Sequence, residues 1–468
     1  MREPEGTVAT KPAEWRERTA GAVEDGARPP QAPTRPASGA GASLGREVDR
    51  IDWRSTLYFW LENTLYVNSQ GMYAGQYELS SGTNQLTPPR MFIDALREFR
   101  PTNYWEINTY TGPLGDTSLR DAVVNYENAV NGWRIGRDNV AVTSGAHEGI
   151  HIALAALRRQ GRRRALVLGP QVPLIFQALL QEKFSFRELW SADPYALVPS
   201  ASEVLAALER HRFDVVLLTS PNNPTGVLYR PEELEAIGVA TLETGGVLVV
   251  DKILSDSTVP GSPMPAATCQ AMGDWITSGR CAVVDSLSKR RAVSGLRSGY
   301  LVAPADIVAA HSMLTLGGCP PLLLTSAASA DLNCSARLHA NGAPVTGTDR
   351  AHAEDLRRMR ATVASNFRLA REILQDYWVW DSKQPGCMNC VVGLRVGPTV
   401  PDDRQKCERL FTQRVSCHPL STFVADAGLL RRPHSEGVLE ARLTVAMEPA
   451  RFEETMLRTR CALRALGA

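Results

Sequence analysis

Between residues 140 and 285 the chain repeats one pattern, a short apolar run followed by a turn and a helix-spaced segment. This repeat restricts the fold more than any other feature. Residues 140–143 (Val-Ala-Val-Thr) run into Ser144-Gly145-Ala146 and a helix expected over 148–159. Residues 165–168 precede Gly169-Pro170 and a helix over 173–182. An amphipathic helix over 201–211 leads to a strand at 214–219, and apolar runs at 247–250 and 281–285 continue the series with helices between them. Short apolar strands alternating with helices need crossover connections, which give a mostly parallel sheet covered on both faces. In such a sheet the ligand site lies beyond the carboxyl ends of the strands, where the strand order switches.

At 468 residues the chain is about three times the usual domain length. Residues 1–45 are rich in Pro, Gly, Ala, Arg, Glu and Thr without a sustained period, the composition of a disordered tail. Residues 46–125 carry an aromatic run at 57–60, a Gly/Ser/Asn/Pro segment near 80–89, a short helix over 91–99 and the start of a helix over 119–132; they are expected to form an N-terminal arm and part of a small domain. The alternating region, 126–330, is the large domain. Residues 331–468 change register: a long charged helix over 353–376, strands at 391–396 and 441–446, and helices near 404–414 and 450–465 describe a smaller α+β domain.

Charge and cysteine usage exclude several classes. Fifty-one Lys plus Arg against fifty Asp plus Glu leave no basic excess for a nucleic-acid partner, and the Arg162–Arg164 cluster reads as a solvated turn before a strand. Nine scattered cysteines and a charged, polar opening stretch fit a reducing cytoplasm. Cys387-Met388-Asn389-Cys390 has the spacing of half a zinc site, but no second pair accompanies it and an apolar strand follows, so no metal is expected. No apolar run reaches the roughly 18 residues that cross a bilayer. No Gly-x-Gly-x-x-Gly follows a suitable first strand, which argues against a dinucleotide-binding dehydrogenase.

Four segments at expected strand ends carry complementary chemistry: Gly145-Ala146-His147 opening a helix, Ser220-Pro221-Asn222-Asn223-Pro224-Thr225-Gly226, Asp251, and Ser286-Leu287-Ser288-Lys289 followed by Arg297. Singly each is a common turn or cap. Together they suit a planar, phosphorylated cofactor with a ring nitrogen. A buried Asp keeps a pyridine nitrogen protonated so that the ring accepts electrons, and a lysine amine holds an aldehyde as a Schiff base and moves a proton. A helix amino end, two serine hydroxyls and Arg297 suit a phosphate. The chain has only six lysines, at 11, 183, 252, 289, 383 and 406, and Lys289 is the one set in such a segment.

From Tyr110 to Arg442 these motifs make the chain resemble the class I/II aminotransferases of the fold-type I pyridoxal-phosphate superfamily. The resemblance implies a large parallel-sheet domain with a smaller α+β domain, pyridoxal 5'-phosphate as cofactor, and a homodimer with shared active sites. Tyr110, in Tyr110-x4-Gly115-x3-Leu119-Arg120, matches the tyrosine that reaches the neighbouring subunit's cofactor phosphate. Gly145, Ala146 and His147 match the phosphate-cradling turn, Asn223 the residue bonding the ring hydroxyl oxygen, and Asp251 the partner of the pyridine nitrogen. Lys289 stands at the Schiff-base position, with Ser286, Ser288 and Arg297 in the surrounding phosphate pattern. Arg442 matches the arginine that clamps a substrate α-carboxylate, a task suited to a planar guanidinium.

Two positions depart from the family. Leu254 stands where a tyrosine usually follows the Asp by three residues, and Pro170-Gln171-Val172 lacks the aromatic that stacks on the ring. The resemblance implies ping-pong transfer between an α-amino acid and a 2-oxo acid, and the departures leave room for elimination, cyclisation or oxidation of an amino acid. A cofactor-sensing regulator is the non-enzyme alternative, and no basic DNA-binding module precedes the matched region. Lys252 is expected to point away from the site by strand alternation.

Overall fold

The computed structural model describes residues 42–50, 77–79, 82–100, 108, 110–193, 195–255, 267–314, 322–340, 344–382, 387–397, 402–430 and 437–467. The expected disordered tail lies outside these residues up to position 41, as does the aromatic run at 57–60.

In chain order, β1 (Ser43–Leu44) and β2 (Tyr77–Glu78) precede α1 (Arg90–Glu98) and α2 (Thr117–Asn131). The alternating region follows with β3 (Val140–Thr143), α3 (Ala146–Arg159), β4 (Arg164–Leu168), α4 (Pro173–Gln181), β5 (Ser185–Trp190), α5 (Ala201–Arg210), β6 (Val215–Thr219), α6 (Pro231–Glu243) and β7 (Val247–Asp251). It ends with α7 (Met272–Thr277), β8 (Cys281–Ser286), α8 (Leu287–Arg290), β9 (Gly299–Val302), α9 (Ala305–Leu314) and α10 (Leu322–His339). The remainder comprises α11 (Gly347–Ile373), β10 (Trp378–Asp381), β11 (Asn389–Arg395), α12 (Asp403–Thr412), β12 (Val415–Ser416), β13 (His418–Pro419), β14 (Val438–Thr444) and α13 (Pro449–Ala465).

Eight strands form one sheet in the order β1-β5-β4-β6-β7-β8-β9-β3. The five from β5 to β8 are parallel, while β9 runs antiparallel to both β8 and β3. Both faces are apolar because alternate residues of each strand enter different cores. Val142, Leu166, Leu218, Leu248, Val250 and Val283 pack on one side with Phe92, Val123 and Ile237. Ala141, Val167, Leu217, Val249 and Val284 pack on the other with Ile150, Leu154, Phe176 and Ile307. A strand with no polar face cannot slip register by one residue without exchanging its two cores, so the sheet is strongly specified.

A second sheet, β10-β11-β14-β13, is antiparallel. Its core joins Val392, Leu394, Leu439 and Leu443 to Leu356 and Phe367 of α11 and to Phe452 and Met456 of α13. Local signals set the helix starts: Asp116 caps α2 by accepting from Ser118 and Leu119 N–H, and Ser200 with Glu203 boxes the start of α5. The N-terminal segments are divided. Ser43 and Leu44 pair with Trp190 and Leu189 at the large sheet's edge, whereas Tyr77 and Glu78 pair with Val415 and Ser416. The first of these lies within the expected tail; a two-residue strand held by backbone pairing alone carries no side-chain period to read.

Candidate active site

The site lies at the carboxyl ends of β6, β7 and β8. After β6, Asn222 holds the turn: its Nδ2 donates to the Pro170 carbonyl (3.0 Å) and its Oδ1 accepts from Thr225 N (3.2 Å) and Oγ1 (2.8 Å). That leaves the half-buried Asn223 as the projecting asparagine. Its Oδ1 accepts from Arg442 Nη1 at 3.0 Å, so two positions 219 apart in sequence meet. Arg442 comes from β14 of the second sheet, and its guanidinium lies 4.9 Å from the Phe423 ring centroid. Gly82, at φ +60°, covers it so closely that a Cβ there would sit 2.9 Å from the guanidinium carbon.

Asp251 ends β7 and is 6 % exposed. Its Oδ1 accepts from Ile253 N at 3.0 Å. Burial, with a further push from the Asp285 carboxylate, raises its pKa from 3.8 to about 7. No cation among the described residues offsets that cost. Lys289 is the converse case: burial first, then the nearby cations Arg442 and Arg297, lower its amine to about 8. Asn84, from the segment before α1, fixes the Lys289 backbone by donating to its carbonyl at 2.7 Å.

The turn opening α3 is shaped for an anion. Gly145 adopts φ +87°, and a Cβ on it would meet Arg297 Nη2 at 2.5 Å. Arg297, exposed and itself at φ +55°, donates to the Ser144 carbonyl at 2.9 Å and the Ser294 carbonyl at 3.0 Å. Ser286 Oγ is committed to the loop, donating to the Ser298 carbonyl (2.6 Å) and accepting from Ser288 N (3.1 Å), with Ser288 Oγ 2.8 Å away. His147, on the first turn of α3, has its Nδ1 buried without a partner among the described residues. Burial, then His151 and Arg297, lower it to about 4, so it is neutral at pH 7. Tyr110 is 89 % exposed. Val172 precedes α4 half-buried, and Leu254 is buried in the second sheet's core.

Sequence reasoning passed over Gly82, Asn84 and Phe423. The Gly/Ser/Asn/Pro run at 80–89 marked a turn but not its target, because the contact is set by how the two sheets meet. Among the described residues no helix is long and apolar enough to cross a membrane, and no group of His, Cys, Asp and Glu is arranged to hold a metal.

An unpaired buried carboxylate suits a cationic ring nitrogen, a glycine turn at a helix start with an exposed arginine suits a phosphate, and a low-pKa amine suits an aldehyde. With the mostly parallel sheet, these features are similar to those of the fold-type I pyridoxal-phosphate class. A model of the family "Aminotransferase class I and II" matches residues 74–454, and the chain belongs to that family. It is 30 % identical over 235 residues to a valine–pyruvate aminotransferase of Mycobacterium tuberculosis, covering 50 % of this chain and 58 % of the relative. It is also 30 % identical over 241 residues to a histidinol-phosphate aminotransferase of Thermobifida fusca, covering 51 % and 60 %. The chain thus spans about three fifths of the length of the curated relatives it matches. Among solved structures, an aminotransferase from Mycobacterium tuberculosis superposes with a TM-score of 0.69 at 24 % identity, covering 89 % of this chain and 100 % of that one. An aspartate aminotransferase from Thermus thermophilus gives 0.67 at 21 % identity, with 87 % and 96 % covered. At these identities the superpositions establish the fold.

Proposed function

We propose that the chain is a pyridoxal-phosphate-dependent aminotransferase that moves an amino group from an α-amino acid to a 2-oxo acid by a ping-pong route. One observation carries the reading: the buried Asp251 at the end of β7 and the half-buried Lys289 just past the end of β8 both lack counter-charges and stand beside the Arg442–Asn223 pair. When bound, pyridoxal phosphate supplies an aldehyde for covalent attachment and a ring that accepts electrons. Asp251 keeps a proton on the ring nitrogen. Lys289 Nζ holds the cofactor and carries the substrate's α-proton; an amine at about 8 keeps a useful neutral fraction near pH 7. The Gly145 and Ala146 amides, Ser288 Oγ and Arg297 bind the phosphate, with Ser286 positioning Ser288 and His147 covering the turn. Asn223 bonds the ring hydroxyl oxygen, and Arg442 takes the substrate carboxylate. Tyr110, exposed on one chain, reaches the phosphate held by a second copy in a homodimer. A reducing, cytoplasmic setting agrees with eight described cysteines that carry no disulfide.

The test adds one amino donor at a time, without acceptor and without oxygen, to the cofactor-loaded protein. Valine, aspartate and histidinol phosphate head the panel because relatives carry those names. Stoichiometric release of one oxo product is expected, with the starting spectrum restored by a 2-oxo acid. Ammonia or an unsaturated product would make the protein a lyase, and oxygen uptake an oxidase. A protein that binds no pyridoxal phosphate, with Lys289 unlabelled after borohydride, overturns the reading.

A further inference from the structure

Directly behind the site, on the α2 side of the large sheet, four charged side chains are buried together. Lys252 follows Asp251 and is 2 % exposed; its Nζ donates to Glu127 Oε2 at 2.7 Å and lies 3.4 Å from Asp285 Oδ2. Arg290 follows Lys289 and is fully buried; its Nη1 lies 3.1 Å from the same Asp285 oxygen and donates to Tyr126 Oη at 2.9 Å. Its Nη2 donates to Tyr300 Oη at 2.9 Å, and that hydroxyl donates to Glu127 Oε1 at 2.6 Å. The Arg290 guanidinium also lies 4.8 Å from the Tyr126 ring centroid. Two acids and two bases sum to zero charge, so the cluster is neutralised internally.

Strand alternation explains the location. Asp251 shares the parity of Val247 and Val249, whose side chains enter the core under α3, whereas Lys252 shares that of Leu248 and Val250, which face α2. Lys252 N still donates to the Val284 carbonyl at 3.0 Å, so the pairing of β7 with β8 extends one residue past Asp251. The residues flanking the two reactive groups are therefore bolted to each other through Asp285 and Glu127.

We propose that Lys252 and Arg290, joined through Glu127, Asp285, Tyr126 and Tyr300, are positioning residues that hold the Asp251 carboxylate and the Lys289 amine in fixed register. This rests on the proposed function and extends it to groups that touch neither cofactor nor substrate. A buried network whose charges are paired with one another is stiff, and removing one partner leaves another uncompensated, so a local loss displaces both neighbours together.

The experiment compares wild type with Lys252→Met, Glu127→Gln and Tyr300→Phe, and with Asp214→Ala as a control that removes the acceptor for Arg163 and Arg164 N–H just before β6, at the end of the sheet opposite the site. Tyr300→Phe keeps the ring and removes only the hydroxyl, so a folded variant remains even where Lys252→Met fails to fold. Three quantities are read: the melting temperature without cofactor, the pyridoxal-phosphate dissociation constant, and the pH midpoint of the visible absorbance of the loaded protein. The cluster variants should weaken cofactor binding about tenfold and move the midpoint by about half a unit or more. The control, at an equal or larger loss of melting temperature, should move neither. Cluster variants that lower only the melting temperature, or a control that moves the optical midpoint equally, overturn the positioning role and leave the proposed function standing. A wild type that takes up no cofactor overturns both.

Discussion

Asp251→Asn in the cofactor-free protein isolates the energetic consequence of placing a carboxylate where only a ligand can pair with it. The folded chain holds the Asp251 proton up to about pH 7, whereas the unfolded chain releases it near 3.8. Between those values the native state binds more protons than the unfolded state, so stability falls as pH rises and levels off above the folded pKa. The separation is about three units, which at 1.36 kcal/mol per unit makes the charged site cost about 4 kcal/mol at pH 8. About 3 kcal/mol of that accrues between pH 5 and pH 8. Asn keeps an acceptor for Ile253 N and cannot ionise, so it removes the slope. Denaturant unfolding of both proteins at pH 5 and pH 8 measures the difference, with other titrating groups cancelling between them. The variant should gain about 3 kcal/mol relative to wild type on going from pH 5 to pH 8. In pyridoxal-phosphate-loaded wild type the slope should vanish, because a ring cation pairs with the carboxylate. Parallel pH profiles for the two unloaded proteins would refute the argument.

Arg442→Lys keeps the charge but loses the fork and the Asn223 bond; KM for the amino donor should rise about 10- to 100-fold in steady-state assays, in line with about 1.5–3 kcal/mol per charged hydrogen bond. Gly145→Ala forces a Cβ onto Arg297 at φ +87°, so pyridoxal-phosphate titration should show about tenfold or greater weakening, with about 1–2 kcal/mol lost in unfolding. Light scattering should find a dimer, and Tyr110→Phe should weaken cofactor binding by about tenfold or more, the worth of one hydrogen bond to an anion; an active monomer would sink this. Thiol titration of the native protein should lose one fast equivalent in Cys461→Ser, because Cys461 is exposed while Cys390, Cys407 and Cys417 are buried and react only on unfolding.

Much of the large sheet was legible because its strands are apolar on both faces: 140–143 matches β3, and 247–250 falls one residue short of β7 because Asp251 ends the strand with a charge. β5 was not, since Ser185-Phe186-Arg187-Glu188 reads as a polar segment. Glu188 is nevertheless buried, accepting from Ala425 and Asp426 N–H at 2.8 Å each, a contact supplied by chain more than 230 residues away. The site was legible where one local segment carries the chemistry, as in Ser286 to Arg297. It was illegible where tertiary packing brings groups together. Asn84 under Lys289 and Glu127 against Lys252 come from α1's approach and from α2, and neither has a local signature. Lys252 does point away from Asp251, as alternation required, but into the interior rather than to solvent.

The scarcity of lysine acquires a sharper meaning from the three that leave the surface. Of the four lysines in the described residues, Lys183 is exposed, while Lys252, Lys289 and Lys406 lie in the interior or partly so. Lys252 is neutralised by Glu127 and Asp285, and Lys406 by Asp403 with the Val438 carbonyl at 2.8 Å. Lys289 alone has cations rather than acids for neighbours. Burying an ammonium without a counter-charge costs several kcal/mol, and the cheapest escape is to lose the proton. Surplus lysines would blur this arrangement, since any flexible ammonium near the cleft could pair with Asp251. Asp251 lacks a cation and Lys289 lacks an acid, yet the two make no ion pair with one another. The fold thus keeps an acid and an amine apart at adjacent strand ends, and a ligand that brings a cation to one and an electrophilic carbon to the other relieves both costs together.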